Sequence, residues 1–191
     1  QETSLELERR FRHHELLTKV GMWSPKQREV LSSEAPYTIL CGGNGAGKTT
    51  IGGYWIACHA YGFNPVSGRL FVREPGKPTL CWAIGNSAEK VRSVMLPSIL
   101  RWIRPEDIER ITNVPDSVIY LKGGNRIALK SQEQDNDKFQ GDEVDAVWPD
   151  EEMKKRGIWD EIVVRTFRRF GKVLMTMTPW EGTLWMHHWL L

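Results

Sequence analysis

Along the chain, short apolar runs alternate with longer amphipathic stretches. The first stretch, from about Ser4 to Val20, is charged, with Leu7, Phe11 and Leu17 spaced for one helix face and Gly21 as its end. Ser24-Pro25 predicts a short helix through Leu31, with serine as N-cap and proline in the first turn. Tyr37 to Cys41 is an apolar run bounded by Pro36 and Gly42, the pattern of a buried strand. A glycine-rich loop, Gly42 to Gly47, leads into a predicted helix from Lys48 to Ala60, and Gly62 to Pro78 reads as a polar loop. Thr79 to Ile84 predicts a second buried strand, and Asn86 to Leu100 a helix capped by Asn86 with Glu89 three residues on. Val118–Leu121 and Arg126–Lys130 flank Lys122-Gly123-Gly124-Asn125, a hairpin signal. After a loop-like stretch from Ser131 to Glu143, Val144 to Trp148 predicts a strand ending in acids. Ile158 to Phe170 follows at helical spacing, and Lys172 to Thr178 is a last buried strand closed by Pro179.

Strands that alternate with helices imply an α/β fold, a mostly parallel sheet with helices on both faces. Ligands of such sheets lie at the carboxyl ends of the strands. The chemistry is therefore expected just after Cys41, Trp148 and Thr178. We expect residues 1–22 to form an N-terminal helical segment and residues 23–191 one domain. The chain opens at Gln1 and stops at Leu191 inside an apolar run, which reads as a piece of a longer protein.

The loop at the first of these strand ends carries chemistry. Gly42-Gly43-Asn44-Gly45-Ala46-Gly47-Lys48-Thr49 fits G-x-x-x-x-G-K-[ST], the Walker A phosphate loop. Binding a polyphosphate needs several backbone N–H groups turned inward, and glycines permit those angles without blocking the approach. The helix that follows presents its positive end to the phosphates. Lys48 would reach the β- and γ-phosphates of ATP, the Thr49 hydroxyl would hold Mg²⁺, and Thr50 completes the candidate nucleotide-binding set. The loop follows a predicted strand and opens a predicted helix, the context that distinguishes it from a chance glycine turn.

At the second strand end stands Trp148-Pro149-Asp150-Glu151-Glu152. Asp150 would join the Mg²⁺ shell as a Walker B aspartate, and Glu151 would polarise the attacking water. Asp145 interrupts the apolar run, and Pro149 removes a backbone donor near the strand end. The other reading, acids that favour a helix start, stays open, and Asp142-Glu143 is a rival pair.

Composition narrows the field. Hydrophobic residues make up 40% and charged residues 26% of the chain, an ordinary globular balance, and the net charge is only +2. That charge does not announce a nucleic-acid partner, although basic clusters occur at Arg9-Arg10-Arg12, Lys154-Lys155-Arg156 and Arg165-Arg168-Arg169-Lys172. On the last helix Ile158, Ile162, Val163, Phe167 and Phe170 favour one side and the arginines another; a solvated face and a DNA-binding face look alike at this level. Cys41, Cys58 and Cys81 match no zinc spacing and read as buried, reduced thiols. The nine tryptophans are stacking platforms or core. No run approaches the ~20 apolar residues of a membrane span, so no membrane role is expected.

Further segments fall into an order with the two motifs. Ser24-Pro25-Lys26-Gln27 precedes the phosphate loop, Phe139-Gln140-Gly141 precedes Asp145 to Glu151, and Met175-Thr176-Met177-Thr178-Pro179-Trp180-Glu181-Gly182 follows. In that order, and over about Trp23 to Leu191, the sequence resembles the ATPase domain of the large terminase subunit of tailed bacteriophages. The resemblance implies a RecA/ASCE-like P-loop NTPase in which Gln27 reads the adenine edge and Thr176 and Thr178 form a coupling motif that senses the γ-phosphate. Trp23 either stacks on the adenine or belongs to the core. Where that family often has an arginine in the phosphate loop, this chain has Asn44, which supplies no positive charge. A neighbouring subunit's arginine is then one source of transition-state charge, with Arg101, Arg104 and Arg126 as unranked candidates.

The resemblance further implies an ATP- and Mg²⁺-dependent motor that packages double-stranded DNA into a procapsid. Its copies would form a ring on the portal protein, with a small terminase subunit as partner, in the host-cell cytoplasm. The family's C-terminal nuclease has no candidate here. A helicase or other RecA-like nucleic-acid-dependent ATPase shares the glutamine, the loop and the acid pair. A module that binds ATP for assembly without turning it over is the third reading.

Overall fold

The computed structural model describes residues 20–64, 66, 68–71, 76–113 and 117–178. The predicted helix before Val20, the arginine cluster at 9–12 and the segment from Pro179 onward lie outside them. A short helix α1 (Pro25–Ser32) leads to strand β1 (Tyr37–Cys41) and the long helix α2 (Lys48–Tyr61). A two-stranded ribbon, β2 (Phe63–Asn64) and β3 (Arg69–Leu70), occupies the expected loop before β4 (Leu80–Gly85). Helix α3 (Ala88–Lys90) passes through a π-helical stretch, Val91–Met95, into α4 (Leu96–Leu100). Then come β5 (Ile108–Thr112), β6 (Ser117–Leu121), β7 (Arg126–Ser131), β8 (Ala146–Asp150), α5 (Arg156–Phe167) and β9 (Lys172–Met177).

Seven strands form one sheet in the order β1-β9-β8-β4-β7-β6-β5. Pairing is parallel from β1 to β7 and antiparallel across β7, β6 and β5, so the predicted mostly parallel sheet is what forms. Successive side chains of a strand feed opposite faces. In β4, Cys81 and Ala83 enter the core under α2 and α4, whereas Leu80, Trp82 and Ile84 enter the core under α5. The first core holds Ile51, Tyr54, Trp102 and Trp148, and the second holds Phe139, Ile158, Trp159 and Met175. β4 and β8 are buried along their whole length, as parallel strands covered on both faces are.

Two close approaches seat α2 over the sheet. A methyl group on Gly52 would collide with the Trp148 indole, and one on Gly53 would stand 2.6 Å from Ser98 Oγ in α4. These glycines lower helix propensity but let β8 and α4 come near α2. Pro97 accounts for the π stretch before it. A proline there cannot donate an N–H into the helix and its ring disturbs the preceding turn. The chain takes up the mismatch with a wider turn in which Leu96 N–H donates to Val91 O.

Several expectations are corrected. β8 lies two residues later than predicted, because Asp145 is tied down before the strand by the Leu80 N–H at 2.8 Å and by Arg169 Nη1 at 2.8 Å. Pro149 is accommodated inside β8 because the β8–β9 register passes from Val147 to Asp150 and needs no donor from it. Ser87, not Asn86, caps α3, accepting from Lys90 N–H at 3.2 Å. Phe167 and Phe170 are 79% and 90% exposed rather than packed: Phe167 ends α5 beyond the core beneath it, and Phe170 lies past the helix in a turn at φ 50°. Cys41 is exposed rather than buried because it ends the edge strand β1. The described tryptophans Trp23, Trp55, Trp82, Trp102, Trp148 and Trp159 are all core.

Candidate functional site

The phosphate loop leaves β1 at Gly42, whose N–H donates to Met177 O of β9 at 3.1 Å, and re-enters helix at Lys48. Gly45 (φ 78°) and Gly47 (φ 77°) take left-handed angles that an L side chain resists, which turns the loop back over the helix end. Lys48 Nζ reaches back across the loop and donates to Gly42 O at 2.7 Å and Gly43 O at 2.8 Å. The ammonium thus sits inside the loop with donor capacity directed at whatever the loop encloses. Ser98 Oγ donates to Thr49 O at 3.0 Å, anchoring the first turn of α2 to α4.

Asp150, 1% exposed, is buried with its charge and has partners on both oxygens. Oδ2 accepts from Thr49 Oγ1 at 3.1 Å and faces Lys90 Nζ at 3.1 Å; Oδ1 accepts from Thr176 Oγ1 at 2.7 Å. Trp148 Nε1 in turn donates to Thr176 Oγ1 at 2.8 Å. β9 therefore lies between the phosphate-loop strand and the acidic strand and carries the hydroxyl that orients the carboxylate. The half-buried Thr49 hydroxyl and the buried Asp150 carboxylate are hard oxygen donors of the kind that Mg²⁺ takes, and Mg²⁺ keeps most of its shell as water and phosphate oxygens. The set fits that ion. Among the described residues no three His, Cys, Asp or Glu side chains gather into a protein-only metal cage.

Glu151 follows at φ 91°, an angle that costs a non-glycine residue about 1–3 kcal/mol. Its N–H donates to Thr176 O at 2.7 Å, Oε2 accepts from Thr178 N–H at 3.1 Å, and Oε1 lies 3.5 Å from Lys90 Nζ. The unusual angle turns the carboxylate away from the line of β8 into an open cavity of about 330 Å³ lined by Asn44, Asn86, Lys90, Glu151, Glu152, Lys154 and Thr178. Cys41 borders the same field. Partial burial and the Glu152 carboxylate push its thiol up, and the Lys48 ammonium pulls it back.

The structure thus brings together Asn44, Lys48, Thr49, Asp150, Glu151, Thr176 and Thr178 from among the residues named in the sequence. Thr178 Oγ1 donates to Asn44 Oδ1 at 3.5 Å. Thr50 lies one position further into α2, half-buried, and does not line the cavity that Glu151 faces. Gln27 closes a capping box with Ser24 through Oε1 at 2.9 Å, and its Nε2 lies beside Gly47. Trp23 packs in the core against Tyr54 and Trp102, which removes it as a stacking platform for a base. None of Lys90, Asn86 and Trp148 was named in the sequence as a residue of the site. Only their place at the end of a parallel strand, or next to an acid, hints at them.

The rivals have other duties. Asp142 and Glu143 lie at the opposite end of the sheet in ion pairs with Arg126 and Arg169, so they are far from the loop. Arg104 is held through Nε and Nη2 to Asp107 at 2.8 and 2.9 Å, and this pairing raises its pKa. Arg101 is exposed, and none of Arg101, Arg104 and Arg126 lines the cavity. On α5 and in the turn after it the basic cluster is largely neutralised: Arg165 pairs with Glu161 at 2.8 Å and Arg169 with Asp145 at 2.8 Å.

Residues 39–182 match the family model described as terminase large subunit, T4-like-virus type, N-terminal. The chain belongs to this family. No curated protein is similar enough in sequence to count as a match. Among solved structures, the large terminase of the thermophilic bacteriophage D6E superposes with a TM-score of 0.61 at 15% identity, covering 88% of this chain and 43% of that one. The same terminase in complex with ADP gives 0.56 at 16%, with 81% and 38% covered. The large terminase ATPase domain of Thermus phage P74-26 gives 0.51 at 16%, with 94% and 70% covered. The terminase domain described here thus has the P-loop NTPase fold and spans about two fifths of the D6E protein's length. No helix among its described residues is long and apolar enough to cross a membrane.

Proposed function

We propose that this terminase domain binds ATP with Mg²⁺ and hydrolyses it, and that the hydrolysis drives double-stranded viral DNA into a procapsid. The observation that carries the reading is the 3.1 Å contact between Thr49 of the phosphate loop and the buried carboxylate of Asp150, which joins two motifs 101 residues apart. Membership of a DNA-packaging motor family supports the larger role, as does the ADP complex of a neighbour with the same fold.

In this reading backbone N–H groups of the loop between Gly43 and Thr50 cradle the phosphates, and Lys48 turns its remaining donor capacity toward the β- and γ-phosphates. Gln27, fixed beside Gly47 by its capping box, offers Nε2 to the adenine edge. Thr49 and Asp150 hold Mg²⁺, which when bound neutralises phosphate charge. Glu151, turned into the cavity by its positive φ, orients and deprotonates the attacking water. Thr176 and Thr178 tie both acids to the end of β9 and so feel a change at either one. The motor works as a ring of copies on the portal protein, with the small terminase subunit as partner, in the host-cell cytoplasm.

The test is ATP turnover per molecule against protein concentration, with Mg²⁺, for wild type and Glu151→Gln. Turnover falls by on the order of 10²-fold or more in Glu151→Gln while ATP binding stays. An unchanged rate would take the base role from Glu151. A wild-type rate that climbs with concentration supports a site completed by a neighbouring copy.

A further inference from the structure

The phosphate loop contributes one charged side chain, Lys48, and that ammonium already spends two donors on Gly42 O and Gly43 O. A second ammonium stands in the same cavity. Lys90 Nζ lies 3.1 Å from Asp150 Oδ2 and 3.5 Å from Glu151 Oε1, with its side chain 20% exposed. It shares Asp150 Oδ2 with the Thr49 hydroxyl, so it stands where the loop, the metal-binding carboxylate and the candidate base meet. The other lysine lining the cavity, Lys154, is exposed at its rim.

The position of Lys90 is costly in local terms. It occupies the first turn of the helix capped by Ser87, where a cation opposes the helix dipole. The π stretch that begins at the next residue turns Val91 and Met95 into the core, where a methyl on Gly85 would meet both at under 3 Å. The helix end is therefore clamped to β4, and Lys90 leaves it directed at the acids. Asp150 and Glu151 compensate it while the cavity holds no anion. A divalent cation held by Thr49 and Asp150 would add like charge beside Oδ2 and so favour the contact of the ammonium with Glu151 and the cavity.

We infer that Lys90 binds the terminal phosphate of a bound nucleoside triphosphate, and thereby lets this chain tell a triphosphate from a diphosphate. The inference rests on the proposed nucleotide site. A terminal phosphate adds charge and acceptors at the outer end of the loop, where charge-assisted hydrogen bonds to a lysine are strong. The ligand class is a nucleoside triphosphate with its divalent cation, and the role differs from holding Asp150 in place, because it acts only when the third phosphate is present.

The experiment measures dissociation constants of this chain for ADP and for the slowly hydrolysed analogue ATPγS, with Mg²⁺, by competition against a fluorescent nucleotide. Wild type, Lys90→Met, Lys90→Arg and Lys154→Met are compared, with thermal melting as the control for folding. In Lys90→Met the ATPγS constant rises by on the order of tenfold or more, the ADP constant changes by less than about threefold, and Lys90→Arg restores most of the preference. Equal weakening of both nucleotides would overturn the inference and make Lys90 a structural partner of Asp150. An equal selective loss in Lys154→Met would also overturn it, because the effect would then be general charge. Failure of the wild type to bind either nucleotide would overturn the proposed site itself. Should Lys90→Met melt early, Lys90→Gln is read in its place, with the same expected ratio.

Discussion

Replacing Thr176 with valine isolates the hydroxyl at the centre of the site. Valine keeps the branched shape and the strand preference, so packing in β9 is preserved. Two buried partners are lost: the Trp148 indole N–H at 2.8 Å and Asp150 Oδ1 at 2.7 Å, around a side chain that is 0% exposed. A buried neutral donor left without an acceptor costs about 1–2 kcal/mol, and a lost bond to a buried carboxylate about 1.5–3 kcal/mol. The sum is roughly 2.5–5 kcal/mol, a large part of the ~5–15 kcal/mol that holds a domain folded. Thr176→Ser keeps the hydroxyl and gives up one methyl, about 1 kcal/mol. Urea unfolding of the three proteins, read at a common slope, measures both differences. A valine variant within about 1 kcal/mol of wild type, or a serine variant as damaged as valine, would refute the hydroxyl's place in the chain from Trp148 to Asp150.

Three further outcomes follow from the geometry. Gly52→Ala gains about 1 kcal/mol of helix propensity but drives a methyl into the Trp148 indole, so a net loss of at least about 1 kcal/mol is expected in thermal melting, partly relieved when Trp148→Phe is combined with it. Lys48→Ala weakens nucleotide binding by on the order of tenfold to a hundredfold in a fluorescent-nucleotide titration; an unaltered constant would remove the phosphate loop from the binding site. A maleimide added to the folded protein modifies Cys41 and spares Cys58 and Cys81, which are 2% and 0% exposed. Because burial and Glu152 raise the Cys41 pKa, the thiolate is scarce at neutral pH and the labelling rate, followed by mass spectrometry, climbs well into the alkaline range.

The parts legible in the sequence were those written in local pattern. β1, β4 and β9 are apolar runs with sharp ends, and the phosphate loop is a contiguous motif between a strand and a helix. β5 was missed because Ile-Glu-Arg-Ile-Thr is an edge strand with one neighbour, and its solvent-facing side chains give it no apolar signature. β8 was misplaced because charged and imino residues look like a strand's end. Asp150 is instead taken inside by hydrogen bonds that no local pattern announces. Lys90 was invisible for a related reason: its partner lies 60 residues away, and only the parallel pairing of β4 with β8 brings them side by side. Phe167 and Phe170 erred the other way, since helical spacing says which side a residue is on but not whether the core extends that far.

The insertion of β9 between β1 and β8 has a mechanical consequence. The loop and the acids are not bonded to each other through adjoining backbones; each is bonded to β9, through Gly42 N–H to Met177 O on one side and Glu151 N–H to Thr176 O on the other. A small slip of one flanking strand along its length would shear one of these two bonds first. Thr176 and Met177, whose carbonyls accept these two bonds, are the last residues of β9, so such a slip is registered at the strand's end and at Thr178 just beyond it. The middle strand works as a gauge set between the loop and the acids.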